Sequence, residues 1–161
     1  MKKYIIAIIM TIMVVSAKGQ VTWNVRAGVG GFSVYYYIDS EYYGNDEMWP
    51  GFAFVGQVNI PFTRTSTFSL SPSFALGVGG EAGHVAFPIH VGKKIILGNR
   101  QIFYPKVGLV GGYDGDHGIL GPSVELAFEL KHFVMAFNYY VGLIDEHGPQ
   151  HGVFATIGYK F

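Results

Sequence analysis

The chain has 161 residues, half of them hydrophobic, with 11 basic and 11 acidic residues and no cysteine. That length suits one domain, and the missing cysteines exclude a small secreted module held by disulfides. Lys and Arg are scattered, which excludes the concentrated basic face that a nucleic-acid partner requires.

Lys2 and Lys3 precede an apolar run from Tyr4 to Val15, which gives way to Ser16-Ala17-Lys18-Gly19. This is the layout of a secretory signal, and the small residues Ala17 and Gly19 place the cut before Gln20. The expected division is a signal peptide over 1–19 and a barrel domain over 20–161; a retained N-terminal anchor is the weaker reading, because the run is too short to span a bilayer as a helix. Without this leader, 8 basic residues face 11 acidic ones, so the mature chain is mildly acidic. No later stretch reaches the run of about 18 apolar residues that marks a transmembrane helix. The remaining apolar residues must be arranged in another way.

They alternate. Phe68, Leu70, Pro72, Phe74, Leu76 and Val78 share one parity, and Thr67, Ser69, Ser71, Ser73, Ala75 and Gly77 the other. The split returns at Phe133, Met135, Phe137, Tyr139, Val141 and Leu143, and again at Val153, Ala155, Ile157, Tyr159 and Phe161, with Phe154 as the exception. A period of two is a strand signal. Between turn signals it predicts strands near Val21 to Val34, Gly51 to Ile60, Thr67 to Gly77, His84 to Ile95, Gln101 to Tyr113, Ile119 to Leu130, Phe133 to Leu143 and His151 to Phe161. Eight strands of about 10 residues each can cross a hydrocarbon layer when tilted, and an even number closes an up-and-down meander without a free edge. The fold class expected is therefore all-β, a transmembrane eight-stranded antiparallel up-and-down β-barrel.

Sidedness separates this fold from a soluble lipocalin-like barrel, which would hide its large apolar residues inside. Arg26, Lys106, Glu125, Glu129 and Lys160 fall on the polar parity, with Gln57, Asn59, His90 and Asn138 beside them. The interior of an eight-stranded barrel is only wide enough for side chains, so small residues and a few paired charges fit there, and a Phe, Leu and Val exterior fits lipid. With both termini on the periplasmic side, the outer connections carry Asp39, Glu41, Asp46, Glu47, Glu81, Asp114, Asp116, Asp145 and Glu146, whereas Arg64, Lys93, Lys94, Arg100 and Lys131 lie at the opposite end. Aromatics of lipid-facing parity gather near both ends, Trp23, Phe62, Phe68, Phe103, Phe133 and Phe161 below and Tyr35, Phe52 and Tyr113 above, as interfacial girdles do. The location expected is the bacterial outer membrane, with lipid as the surroundings.

Phe87-Pro88-Ile89-His90-Val91-Gly92-Lys93-Lys94, followed by Tyr104-Pro105-Lys106-Val107-Gly108 and Gly111-Gly112-Tyr113, resembles strands four and five of the small PorT-like outer-membrane barrels of Bacteroidota. Phe161, with Tyr159 and Ile157 at alternate positions, resembles the C-terminal signal read by the outer-membrane barrel assembly machinery. The resemblance implies a barrel, a location and an assembly partner, and no single activity. Pro72, Pro88, Pro105 and Pro122 fall inside strands, where each removes one ladder donor; local bulges and irregular pairing are expected around them, and the alternation leaves the register there open by a residue or two.

Three sets of residues invite a function. The interior set is Arg26, Lys106, Glu125, Glu129, Asn138 and Lys160, in which antiparallel pairing about the connection between Tyr113 and Gly118 sets Lys106 opposite Glu125, with Asn138 next to it; enclosed charges of this kind must pair and can fix register without catalysing anything. In the outer connections, His147, His151, Asp114, Asp116 and His117 could ligate a divalent cation, but no spacing among them is diagnostic and no metal site or cofactor is assigned. The first outer loop interleaves Tyr36, Tyr37, Tyr42, Tyr43 and Trp49 with acids, a surface suited to an extracellular partner or glycan, or else an extension of the girdle. Non-enzymatic envelope protein is the leading class. A lipid-modifying barrel enzyme would need a nucleophile and base near the lipid-facing outer rim; His84 and His90 read as interior, Ser123 as apart from any His, and no catalytic residue is assigned. A pore is disfavoured by the narrow lumen.

Overall fold

The computed structural model describes residues 21–38, 41–79, 82–114, 117–143 and 149–161. The expected signal peptide lies outside them, as do Asp39, Glu81, Asp116, Asp145, Glu146 and His147. Nine strands are formed among the described residues: β1 (Thr22–Ile38), β2 (Glu41–Pro61), β3 (Phe68–Gly79), β4 (Ala82–Lys93), β5 (Ile95–Gly98), β6 (Gln101–Asp114), β7 (His117–Leu130), β8 (Phe133–Gly142) and β9 (Gln150–Lys160). Each pairs antiparallel with its sequence neighbour, except that β4 passes over β5 to join β6, and β1 pairs with β9. The wall is thereby closed. Since β5 continues β4 after a break at Lys94, it is a closed eight-stranded antiparallel barrel.

The two faces differ as the alternation requires. Phe74, Phe137 and Ile157 are 41%, 46% and 57% exposed on the outside, while Glu125 is fully buried within. Leu126 and Phe137, Val124 and Tyr139, and Phe128 and Met135 are cross-strand partners on one ladder and cover the exterior in rows.

Two expectations need correction. The segment expected as the first outer loop is strand: β1 and β2 run on as a ribbon to Ile38↔Glu41, with one register shift between Ser33 and Tyr35. Val34, Tyr35, Tyr36, Tyr37, Ile38, Tyr42 and Tyr43 are all strong strand formers, and their preference outweighs the turn tendency of the interspersed acids. The prolines do not shift the register. The β6–β7 ladder keeps one register from Gln101↔Leu130 to Asp114↔His117 through Pro105 and Pro122, and β4–β6 does the same through Pro88. At Pro72 the β2–β3 ladder skips Val58 and Asn59 opposite Ser71 and Pro72, then resumes unshifted. A residue in a sheet sends its N–H to only one neighbouring strand, so proline costs one bond and leaves the other ladder intact.

The end of the barrel that carries the C-terminus is tied together turn by turn. Lys94 donates its N–H to the Thr67 carbonyl (2.8 Å), Lys131 to Arg100 (3.1 Å), Lys160 to His132 (2.7 Å) and Phe161 to Trp23 (2.8 Å). Two of these turn residues, Arg100 (φ 70°) and Lys131 (φ 47°), are in the left-handed region, which costs a side-chain-bearing residue about 1–2 kcal/mol.

Candidate functional site

The interior is built in layers from inward-pointing positions. Nearest the open end of the ribbon, Phe32 (β1), His84 (β4), Tyr140 (β8) and Phe154 (β9) meet. The His84 ring stacks on Tyr140 at 5.3 Å and on Phe32 at 5.7 Å, and His84 Nε2 and the Tyr140 hydroxyl lie 2.6 Å apart. Rings of this size fit because glycines stand beside them. A Cβ on Gly152, the register partner of Tyr140, would collide with the hydroxyl end of the Tyr140 ring, and one on Gly77 would sit 3.5 Å from Phe32. Phe154, the exception to the alternation of its strand, is thus part of an interior aromatic layer.

Below it lies the ionic layer. Lys106 and Glu125 are register partners on β6 and β7, and their side chains close to 2.6 Å. Arg26 reaches the same carboxylate from β1, Nη2 to Oε2 at 2.7 Å. Gln57 on β2 donates Nε2 to both Glu125 oxygens at 3.1 and 3.2 Å, and its own carbonyl accepts from Lys106 Nζ at 2.6 Å and from Asn24 at 3.2 Å. Asn59 accepts from Lys106 at 3.2 Å and from the Ser71 hydroxyl at 2.8 Å. Lys106 also lies 4.2 Å over the Tyr104 ring. One carboxylate thus receives two cations and an amide from three other strands, which offsets the desolvation of each.

Of the interior residues singled out in the sequence, the structure brings Arg26, Lys106 and Glu125 into this one network. It sets Glu129 and Lys160 in a second pair at 2.6 Å nearer the C-terminal end. Asn138 is the register partner of Glu125, but its Nδ2 meets no hydrogen-bond acceptor. It lines a small internal cavity of about 20 Å³ with Ser73, Ser123, Tyr140 and Phe154, the space of one water molecule. Gln57 and Asn59 carry more of the network than their residue type suggests. Their interior parity was legible, but the bridging of Lys106 and Glu125 by Gln57 and of Lys106 and Ser71 by Asn59 depends on strands that are far apart in the chain.

Ser123 does not stand apart from histidine. His90 Nε2 lies 2.9 Å from Ser123 Oγ, and both residues are buried in the lumen. The sequence reading missed the pair because the residues sit on strands that are not adjacent: His90 is opposite Gly108, and Gly108 is opposite Ser123. The glycine leaves the row open for the imidazole to pass.

The outer tyrosines are placed by backbone register. Tyr36 is opposite Tyr43 and Tyr37 opposite Tyr42, on a ribbon that runs beyond the last pairings of β2 with β3 (Phe52↔Val78) and of β1 with β9 (Phe32↔Gly152). Trp49 is the half-buried partner of Phe32 at the mouth. Of the histidines considered for a metal, His151 approaches the Tyr139 hydroxyl through Nδ1 at 3.0 Å, and the described residues hold no group of three ligating side chains. Ile157, Tyr159 and Phe161 face outward, with the rings of the last two 5.0 Å apart.

No protein-family model matches the chain, and no curated protein does. Among solved structures it is similar to Neisserial surface protein A (TM-score 0.59, 9% identity, 88% of this chain and 97% of that one) and to Ail, the attachment invasion locus protein of Yersinia pestis (0.51, 12%, 88% and 99%). It is also similar to the outer membrane protein OprG from Pseudomonas aeruginosa (0.50, 10%, 87% and 95%). At such identities the likeness is one of fold, a small closed eight-stranded antiparallel β-barrel that each partner fills almost completely.

Proposed function

We propose that the chain is an integral outer-membrane barrel with a plugged lumen and no enzymatic activity, which serves the envelope structurally or by presenting the β1–β2 ribbon to an extracellular ligand. The observation that carries this reading is the inversion of the faces: Arg26, Lys106 and Glu125 are paired as ions inside a closed wall whose exterior is Phe, Leu, Ile and Val. Water would not select such an exterior, whereas acyl chains do. Ions would have to break the Glu125 network to pass, which supports a plug rather than a pore.

Acids at the ribbon end and cations at the C-terminal end support an orientation with the ribbon outward, and the exposed Ile157, Tyr159 and Phe161 suit recognition by the barrel assembly machinery. The Pro88 and Gly111-Gly112-Tyr113 segments support a place among the PorT-like barrels of Bacteroidota. The His90 and Ser123 pair does not favour a lipid-modifying enzyme, since it is enclosed by the wall, away from the lipid on which such an enzyme would act.

The reading is tested in two steps. Purified protein should show heat-modifiable gel mobility and insert into planar bilayers without conductance steps; steady channel currents would refute the plug. Deleting Glu41 to Asp46 should leave the barrel assembled and abolish adhesion of intact cells to host-surface or glycan arrays. Unchanged adhesion would remove the ribbon from the function.

A further inference from the structure

The C-terminal end of the barrel carries five cationic residues on successive turns and strand ends: Arg64 between β2 and β3, Lys93 and Lys94 at the break between β4 and β5, Arg100 between β5 and β6, and Lys131 between β7 and β8. The backbone bonds from Lys94 to Thr67 and from Lys131 to Arg100 hold these turns side by side along one arc of the rim. Among the described residues none of the five enters a salt bridge, and the one acidic side chain at this end, Glu129, is buried against Lys160.

Within this arc the chain does something the wall does not need. Ile95, Ile96 and Leu97 are all exposed, Ile96 at 73% although it has interior parity, because β5 pairs only with β6 and extends past the start of β3. The apolar tip is flanked by Lys93 on one side and Arg100 on the other; Lys93 Nζ lies 5.5 Å over the outward Phe68 ring, whereas the half-buried Lys94 turns inward, its Nζ 5.6 Å from the centre of the buried Tyr104 ring. Arg100 and Lys131 also occupy the two left-handed positions of the described non-glycine residues, where Gly or Asn would sit with less strain. Among the described residues neither side chain makes a hydrogen bond, ion pair or ring contact that would offset it.

We propose that this arc is a binding surface for anionic phospholipid headgroups, with the Ile95-Ile96-Leu97 tip seated among the upper acyl carbons and Arg64, Lys93, Arg100 and Lys131 on the phosphate layer around it. This rests on the membrane-barrel reading above. An exposed apolar tip ringed by unpaired cations matches an interface that is apolar within and negative at its surface, and basic residues at such a surface gain affinity together. A soluble acidic partner would match the cations and leave Ile96 and Leu97 in water.

The test uses the full chain refolded into nanodiscs of phosphatidylethanolamine and phosphatidylglycerol in equal parts, with retained lipids counted by native mass spectrometry. The wild type should retain phosphatidylglycerol several-fold over phosphatidylethanolamine, with a preference that falls as salt is raised. Arg100→Asn with Lys131→Asn should unfold at the same or a higher temperature in detergent, because strain is relieved, and should lose up to about fivefold in preference for each charge removed. Equal retention of both lipids, or a preference that survives in this variant and in Arg64→Gln with Lys93→Gln, would overturn the proposal while leaving the membrane barrel standing. A chain that fails to insert even into zwitterionic vesicles would bring down both.

Discussion

His90 and Ser123 hydrogen-bond at 2.9 Å across a row of three residues whose middle member is Gly108. A Cβ built on Gly108 would collide with the Ile89 carbonyl and lie 2.7 Å from His90 Cα, so the close approach of β4 and β6 depends on the missing side chain. Position 108 thus has two tasks, to let the strands curl together and to leave space through which the imidazole reaches the serine.

Replacing Ser123 by Ala should therefore destabilise the barrel by about 1–3 kcal/mol, the range for a buried polar atom left without its partner. His90 Nδ1 already lacks a partner, and the substitution would leave the whole ring unsatisfied. Urea unfolding in detergent micelles measures the change, and stability equal to wild type would mean that the two side chains do not share a proton in the folded protein.

Glu125 is a larger liability. Changing it to Gln leaves Arg26 and Lys106 enclosed with no carboxylate between them, and breaking a buried ion pair on one side costs about 3–5 kcal/mol. The unfolding temperature should fall well below that of the wild type. Glu125→Leu combined with Lys106→Met should recover part of the loss, because it removes one of the two cations left without a carboxylate and leaves only Arg26 enclosed. If the double variant were as unstable as the single one, the network would matter through Arg26 and Gln57 rather than through Lys106.

The wall was legible in the sequence and most of its contents were not. Alternation in 67–79, 133–143 and 151–161 set the strands, the faces and the outward aromatics, because burial in a sheet is read at a period of two and needs no knowledge of partners. Opposition of Lys106 and Glu125 followed from one short connection whose centre could be located. Gln57 meeting Glu125, or His90 meeting Ser123, joins strands separated by 68 and 33 residues, and such contacts depend on the accumulated register of several ladders. The β1–β2 ribbon was misread for a different reason: acids and asparagine between tyrosines look like a loop, while the cross-strand pairs Tyr36↔Tyr43 and Tyr37↔Tyr42 that sustain the ladder are visible only after folding.

Gly152 tests the aromatic layer. Alanine there would force the Tyr140 ring away from its glycine and from His84, and overpacking of this kind costs about 1–3 kcal/mol. Adding Tyr140→Leu in the same chain should relieve the clash and bring stability back toward that of the Tyr140→Leu single variant. Urea unfolding of the four proteins gives the coupling directly, and simple additivity would show that residue 152 does not feel the ring.

Ile157 decides what lies outside the wall. It is 57% exposed, opposite Met135 on β8 and Ala27 on β1, four residues in from the rim residue Phe161. On a protein surrounded by water, arginine at this position would be close to neutral, since it meets no interior atom. On a barrel surrounded by acyl chains the guanidinium must be carried toward the bilayer midplane, at a cost of about 2–4 kcal/mol. The measurement is folding equilibrium into phospholipid vesicles, with Arg placed in turn at Ile157 and at Phe161 on the rim. A cost that is large at 157 and small at 161 follows from the depth of a hydrocarbon layer, and equal, negligible effects at both positions would mean that the apolar face is not turned to lipid.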